Sequence, residues 1–67
     1  MKFTKRFNEV LKNSGRTQAE IARAIHVTKQ CVTDYKTGKS VPSLETLYSL
    51  CVYLEISSDY LLGLSDY

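Results

Sequence analysis

Four polar side chains of mixed hydrogen-bonding character stand within six positions in the middle of the chain. They are Lys29, Gln30, Thr33 and Asp34, and in a helix their spacing places them on one side. A glutamine amide can pair with N6 and N7 of adenine, a lysine can donate to guanine O6 or N7, and an aspartate can accept from cytosine N4. This set therefore has the chemistry to recognise the edges of base pairs.

Patterns for catalysis or metal binding are absent from the sequence. Cys31 and Cys51 lack C-x-x-C spacing, and His26 is the single histidine, so no metal-ligand set is present. The chain also has no glycine-rich phosphate loop and no Ser-His-acid or Cys-His pairing. We therefore expect neither an enzyme nor a cofactor or metal. Cys31 is interpreted as a small helix filler, with a redox switch as the alternative.

Charge is distributed unevenly along the 67 residues, although the net charge is only +2. All nine Lys and Arg lie before residue 40 beside three acids, a net +6, whereas the remainder has four acids and no base, a net −4. A basic half joined to an acidic half suggests one face that meets a polyanion. The alternative is an uneven but merely solvated surface.

Helical periodicity and capping residues predict an all-α fold. The five predicted helices are 3–14, 18–25, 29–37, 44–54 and 60–62. Thr17 and Glu20 form a capping box, and Thr28 and Ser43 cap the next two helices. With 43% hydrophobic residues and no membrane-length apolar run or signal peptide, we expect one compact domain over residues 1–67 in the cytoplasm.

The connection between the second and third helices is unusually short. Only His26 and Val27 separate Ile25 from the cap Thr28, and so short a link forces a steep crossing of the two helices. Residues 17–37 are therefore predicted to form a helix-turn-helix.

The chain resembles the phage lambda and 434 repressor and Cro-type helix-turn-helix proteins. The resemblance rests on fragments in a fixed order: Thr17-Gln18-Ala19-Glu20-Ile21-Ala22, Val27-Thr28, Val32-Thr33, Tyr35, Gly38-Lys39, Pro42-Ser43-Leu44-Glu45-Thr46-Leu47 and Tyr60-Leu61-Leu62-Gly63. It implies a compact five-helix lambda-repressor-like domain that regulates transcription, as a repressor, by binding double-stranded operator DNA. The helix starting at Lys29 would lie in the major groove of a palindromic operator that a symmetric homodimer occupies.

The resemblance also implies which residues touch DNA. Gln18 matches a phosphate-contacting position, the outward face of the third helix matches base-reading positions, and the loop after it matches positions that hold the backbone. The predicted DNA-binding set is Gln18, Thr28, Lys29, Gln30, Thr33, Asp34, Thr37, Lys39 and Ser40.

Four positions depart from the family pattern. His26 stands where glycine is common, and we expect it to be structural. Leu11 and Lys36 replace an Arg and a Glu that pair between the first and third helices in many relatives. Asp34 stands where relatives carry a basic or amide side chain, and it either reads a cytosine or pairs with Lys29 or Lys36.

The C-terminal half carries a cluster of large side chains. Tyr53, Tyr60 and Tyr67, with Leu61 and Leu64, form either a self-association surface or ordinary core packing and a frayed end. Four other aromatics are predicted to lie in the core: Phe3, Phe7, Tyr35 and Tyr48. Through the first alternative for this cluster, the C-terminal half is the expected homodimer interface.

The alternative function is a protein-interaction module, such as an antitoxin or adaptor, whose acidic half holds a basic partner.

Overall fold

Five α-helices form the regular structure of the computed structural model, which describes residues 1–67. They are α1 (Phe3–Ser14), α2 (Gln18–Ala24), α3 (Lys29–Thr37), α4 (Leu44–Leu54) and α5 (Ser58–Leu62). The prediction of an all-α, five-helix fold is confirmed. The bounds differ from the predicted ones only in that α2 ends one residue earlier and α5 begins two residues earlier.

Short polar side chains start four of the five helices. The Thr17 hydroxyl accepts from the Glu20 amide at 3.1 Å, and the Glu20 carboxylate accepts from the Thr17 amide at 2.9 Å, so the predicted capping box is present. Thr28, Ser43 and Ser57 each accept from the amide three residues later. A cap of this type contributes about 0.5–2 kcal/mol. Ser57 explains why α5 begins at Ser58.

Two non-glycine residues adopt the left-handed conformation. His26 has φ of 60° in the turn after α2, as its glycine-like position suggested, and Glu55 has φ of 55° after α4. The amide of Glu55 donates to the Cys51 carbonyl, which completes the end of α4. Nothing in the local sequence signals this second turn, because glutamate rarely adopts positive φ.

An aromatic cluster between α1 and α3 forms one side of the core. The Phe3 and Phe7 rings stack at 5.3 Å, and the Tyr35 ring meets both edge-on at 6.3 and 6.0 Å. Desolvation raises the pKa of the Tyr35 phenol. The other buried side chains are Leu11, Ile21, Ala22, Ile25, Val32, Leu50 and Leu61. α1 packs against both α3 and α5, and α2 packs against α3.

The predicted core position of Tyr48 is wrong, because its side chain is 72% exposed. Leu44 stands at the start of an apolar stripe that Leu47, Leu50, Cys51 and Leu54 continue along α4, and its predicted place in the core is also wrong, because it is 83% exposed. α4 places Leu50 fully in the core. Successive side chains of a helix are rotated by about 100° around its axis, so Tyr48, two residues before Leu50, points away from the core. Leu61 is fully buried, which agrees with the core-packing alternative for this residue.

Arg6 fixes the C-terminal residues onto α1. Its guanidinium donates to the carbonyl oxygens of Tyr60 and Ser65, lies 4.4 Å from the centre of the Tyr60 ring and pairs with Asp66 at 3.6 Å. The last residues therefore pack on the helix that begins the chain.

None of the five helices has the length and hydropathy that crossing a membrane requires.

Candidate nucleic-acid interface

The link between α2 and α3 has the tight geometry expected of a helix-turn-helix. The Val27 amide donates to the Ala22 carbonyl at 3.0 Å, so the chain folds back under α2 before Thr28 starts α3. Ala22 and Val32 are buried in this corner. The small Ala22 side chain lets α2 and α3 approach closely.

α3 turns its apolar side inward and its polar side outward. Val32 and Tyr35 are buried, while Lys29 and Gln30 are exposed and Thr33 and Asp34 are half-buried. The helical spacing places these four polar side chains on the side away from the buried pair. The structure thus brings the four predicted base-contacting residues onto one surface.

Asp34 is held by a glutamine and not by a lysine. The Gln30 amide donates to the Asp34 carboxylate at 3.0 Å. The predicted ion pair with Lys29 or Lys36 is wrong, because the Lys36 ammonium is directed to Gln18 and the one ion pair in the structure joins Arg6 to Asp66. The Gln30 amide keeps a second N–H and its oxygen free for another partner.

Gln18 is part of a hydrogen-bonded chain that links α2 to α3. Its amide nitrogen donates to the Thr33 hydroxyl at 2.9 Å, and its amide oxygen accepts from the Lys36 ammonium at 3.1 Å. The Thr33 hydroxyl donates in turn to the Lys29 carbonyl at 3.3 Å. Gln18, the predicted phosphate-contacting residue, and Thr33, a predicted base-contacting residue, are therefore hydrogen-bonded to each other.

An asparagine joins α1 to α3 where relatives carry an ion pair. Leu11 is buried, and the Asn8 amide donates to the carbonyls of Thr4 at 2.8 Å and Lys36 at 2.9 Å. The Lys36 carbonyl is among the last of α3 and lacks a partner within the helix. Asn8 was not among the residues predicted from the sequence, where its only signal is a polar side chain beside the apolar stripe of α1.

The remaining predicted contacts lie at the two ends of α3. At the start, the Thr28 hydroxyl accepts from the Cys31 amide and donates to the Cys31 sulfur at 3.2 Å, so its first role is structural. At the other end, the backbone amides of Lys39 and Ser40 both donate to the Asp34 carbonyl. Their side chains and that of Thr37 are exposed.

The two cysteines are free thiols, and both are half-buried and packed against the core, Cys31 from the first turn of α3 and Cys51 from α4. Burial raises the pKa of the Cys51 thiol, which lowers its thiolate fraction and its reactivity.

Comparison with known proteins agrees with this geometry. A family model described as helix-turn-helix matches residues 8–61. The chain is 32% identical over 63 residues to the HTH-type transcriptional regulator ImmR of Bacillus subtilis (strain 168). The matched region is 94% of this chain and 50% of that protein, so the chain spans about half the length of this relative. No solved structure matches closely enough to add to these comparisons.

The family match covers most of the chain and includes both helices of the motif and the helices that support them. It agrees with the resemblance carried by the sequence fragments. The chain belongs to the lambda repressor and Cro-like helix-turn-helix family of DNA-binding transcriptional regulators.

Proposed function

We propose that this protein is a sequence-specific repressor that reads operator DNA by laying α3 in the major groove. The observation that carries the proposal is the polar surface of α3, where Lys29, Gln30, Thr33 and Asp34 lie opposite the buried Val32 and Tyr35. These side chains supply both donors and acceptors to base edges, and a well-placed pair discriminates by about 1–3 kcal/mol.

Contacts to the DNA backbone would come from both sides of α3. Thr37, Lys39 and Ser40 are exposed just beyond its end, where they can reach phosphates that flank the groove. Gln18 would contribute only by exchanging its bonds to Thr33 or Lys36 for a bond to DNA. Phosphate contacts fix the register of the protein and add affinity that is independent of sequence.

Fluorescence anisotropy with duplexes selected for binding tests the proposal. We expect affinity to fall steeply with salt, with log K decreasing by about 0.9 per phosphate contacted for each tenfold increase in salt. Replacing Gln30 by Ala should relax preference at one base position, whereas replacing Lys39 by Ala should weaken all duplexes alike. Weak binding that is indifferent to both salt and sequence would refute the proposal.

The protein is further proposed to bind its operator as a homodimer through α4. Leu44, Tyr48 and Val52 are all exposed, by 83%, 72% and 60%, and their i, i+4, i+8 spacing aligns them as one apolar strip, here called the α4 strip. A second copy is the favoured partner because a two-fold contact would cover the same apolar strip on both copies at once. Two copies would also place two α3 helices on the two halves of a palindrome.

A further inference from the structure

An open groove of about 510 Å³ lies beside α3, between α1 and the start of α2. Its lining includes three basic residues, Lys12, Arg16 and Lys36, together with Asn8 and Gln18. No carboxylate is among the lining residues. Such a concentration of positive charge around a concave surface favours an anion.

The Lys36 ammonium is held in place at the edge of this groove. The Asn8 amide holds the Lys36 backbone through its carbonyl oxygen, and the Gln18 amide oxygen accepts from the ammonium at 3.1 Å. An ammonium has three N–H donors, so two of them remain for a ligand. Because its position is already fixed, Lys36 loses little side-chain entropy when it binds an anion.

Lys12 supplies a second cation, and its ammonium has no partner within the protein. It is exposed on α1 and makes no hydrogen bond or ion pair within the chain. Arg16 differs, because its guanidinium donates to the Tyr53 carbonyl at 3.3 Å and lies 4.5 Å from the centre of the Tyr53 ring. The free positive charge of the groove therefore rests mainly on Lys12 and Lys36.

The groove is continuous with the polar surface of α3. Lys36 lies three residues after Thr33 and seven after Lys29, which places all three on one stripe of the helix. Gln18 bonds to Thr33 on one side and to Lys36 on the other. A duplex lying along α3 would therefore bring its sugar-phosphate backbone over the groove.

We infer that the groove is a binding site for a phosphate of the DNA backbone, contacted by the ammonium groups of Lys36 and Lys12. This inference rests on the proposed function and adds two residues to the predicted contacts. It gives a specific role to Lys36, which stands where many relatives carry the acidic partner of an ion pair and which from the sequence could reach either solvent or a phosphate. Binding here fixes the register of α3 and does not read sequence.

Anisotropy titrations of a 20-base-pair duplex over a range of salt concentrations test the inference with Lys36→Met, Lys12→Met and the control Arg23→Met. Arg23 is an exposed cation of α2 outside the groove, so its variant measures the general effect of losing one charge. We expect Lys36→Met to weaken binding about tenfold, the scale of a charge-assisted hydrogen bond, and to reduce the salt slope. Lys12→Met, which breaks no internal bond, should also reduce the slope, and the double variant should lose about 0.9 in total because the two ammonium groups share one phosphate.

Three other results would overturn the inference. If both groove variants match Arg23→Met, the phosphate lies elsewhere while DNA binding by the protein stands. If the wild-type protein fails to bind any duplex, the proposed function and the groove fail together. If Lys36→Met loses only the binding of inorganic phosphate, measured by calorimetry, and keeps the DNA affinity of the Arg23→Met control, the groove is a small-anion site.

Discussion

At the scale of single residues, the bond between Gln30 and Asp34 decides how α3 presents its hydrogen-bonding groups. A carboxylate near DNA repels phosphates, yet here it holds the amide of its neighbour at 3.0 Å. Asp34 therefore acts in the free protein as a positioning residue for Gln30. The bond is an i, i+4 pair, which helical spacing permits, and it was not among the roles that the sequence position of Asp34 suggested.

Two substitutions of Asp34 separate positioning from direct base recognition. Asp34→Asn keeps an acceptor for Gln30 and removes the charge, so we expect severalfold tighter binding to all duplexes with an unchanged base preference. Asp34→Ala releases Gln30 and should relax preference at the base that Gln30 contacts. Anisotropy with duplexes that differ at single positions measures both effects. A loss of preference at a guanine-cytosine pair in Asp34→Asn would show instead that Asp34 reads cytosine.

Asn8 is the residue through which α1 supports the recognition helix. Asn8→Ala removes two hydrogen bonds and leaves the Lys36 carbonyl without its side-chain partner. We expect the free energy of unfolding to fall by about 1–2 kcal/mol, measured by urea denaturation. Asn13→Ala on the exposed side of the same helix is the control, and an equal effect of the two substitutions would contradict the assigned role.

At the scale of elements, local chemistry explains most of what could be predicted. Thr17, Thr28 and Ser43 start helices where the sequence indicated, because a cap needs only a residue type and an amide three positions later. The rotation of α4 could not be predicted in the same way. Its stripe is wide enough to permit several orientations, and the packing of Leu50 and Leu61 selects the one that exposes Tyr48. The Arg6 contacts join residues too distant in sequence for any local pattern to show.

The start of α2 should make stability depend on pH. The pKa of Glu20 lies below its usual 4.5, chiefly because the Thr17 backbone amide donates to the carboxylate, with a further contribution from the Thr17 side chain. A lowered folded-state pKa contributes stability that is present above about pH 4.5 and is lost as pH falls through the lower value. Glu20→Gln keeps the capping-box bond and cannot ionise.

Thermal melting between about pH 6 and pH 3 compares the wild-type protein with Glu20→Gln. The wild type should lose more stability than the variant over the acidic part of this range, because the other carboxylates are common to both. Parallel curves would show that the capping box does not depend on the charge of Glu20.

At the scale of the whole molecule, charge and apolar surface are divided between different parts of the fold. All nine cations lie before residue 40, in or beside α1, α2 and α3, and the exposed apolar side chains of α4 lie in the half that has none. The charge asymmetry predicted this division, since it is visible in the sequence. Which apolar residues would be exposed was not predictable, because Leu61 and Tyr48 differ in burial only through the packing of helices.

The α4 strip predicts self-association that one substitution should abolish. Tyr48→Glu places a charge at the centre of the strip without disturbing the core, so sedimentation should show a shift from dimer to monomer. The variant should keep the melting temperature that the wild type shows at concentrations too low for it to associate. Glu45→Gln, an exposed residue of the same helix, serves as the control. A wild-type protein that stays monomeric at high concentration and on operator DNA would contradict the dimer, and a stable complex with a different protein would assign the strip to that partner.

Selection of bound duplexes from a random DNA library tests whether α3 reads the operator. We expect a palindromic consensus for the wild-type protein, with half-sites about one helical turn apart. We also expect Gln30→Ala to lose preference at one position in each half-site. Two results would contradict the assignment of α3 as the helix that reads DNA. One is a library that shows no enrichment. The other is an enriched sequence that stays the same for both Gln30→Ala and Lys29→Ala.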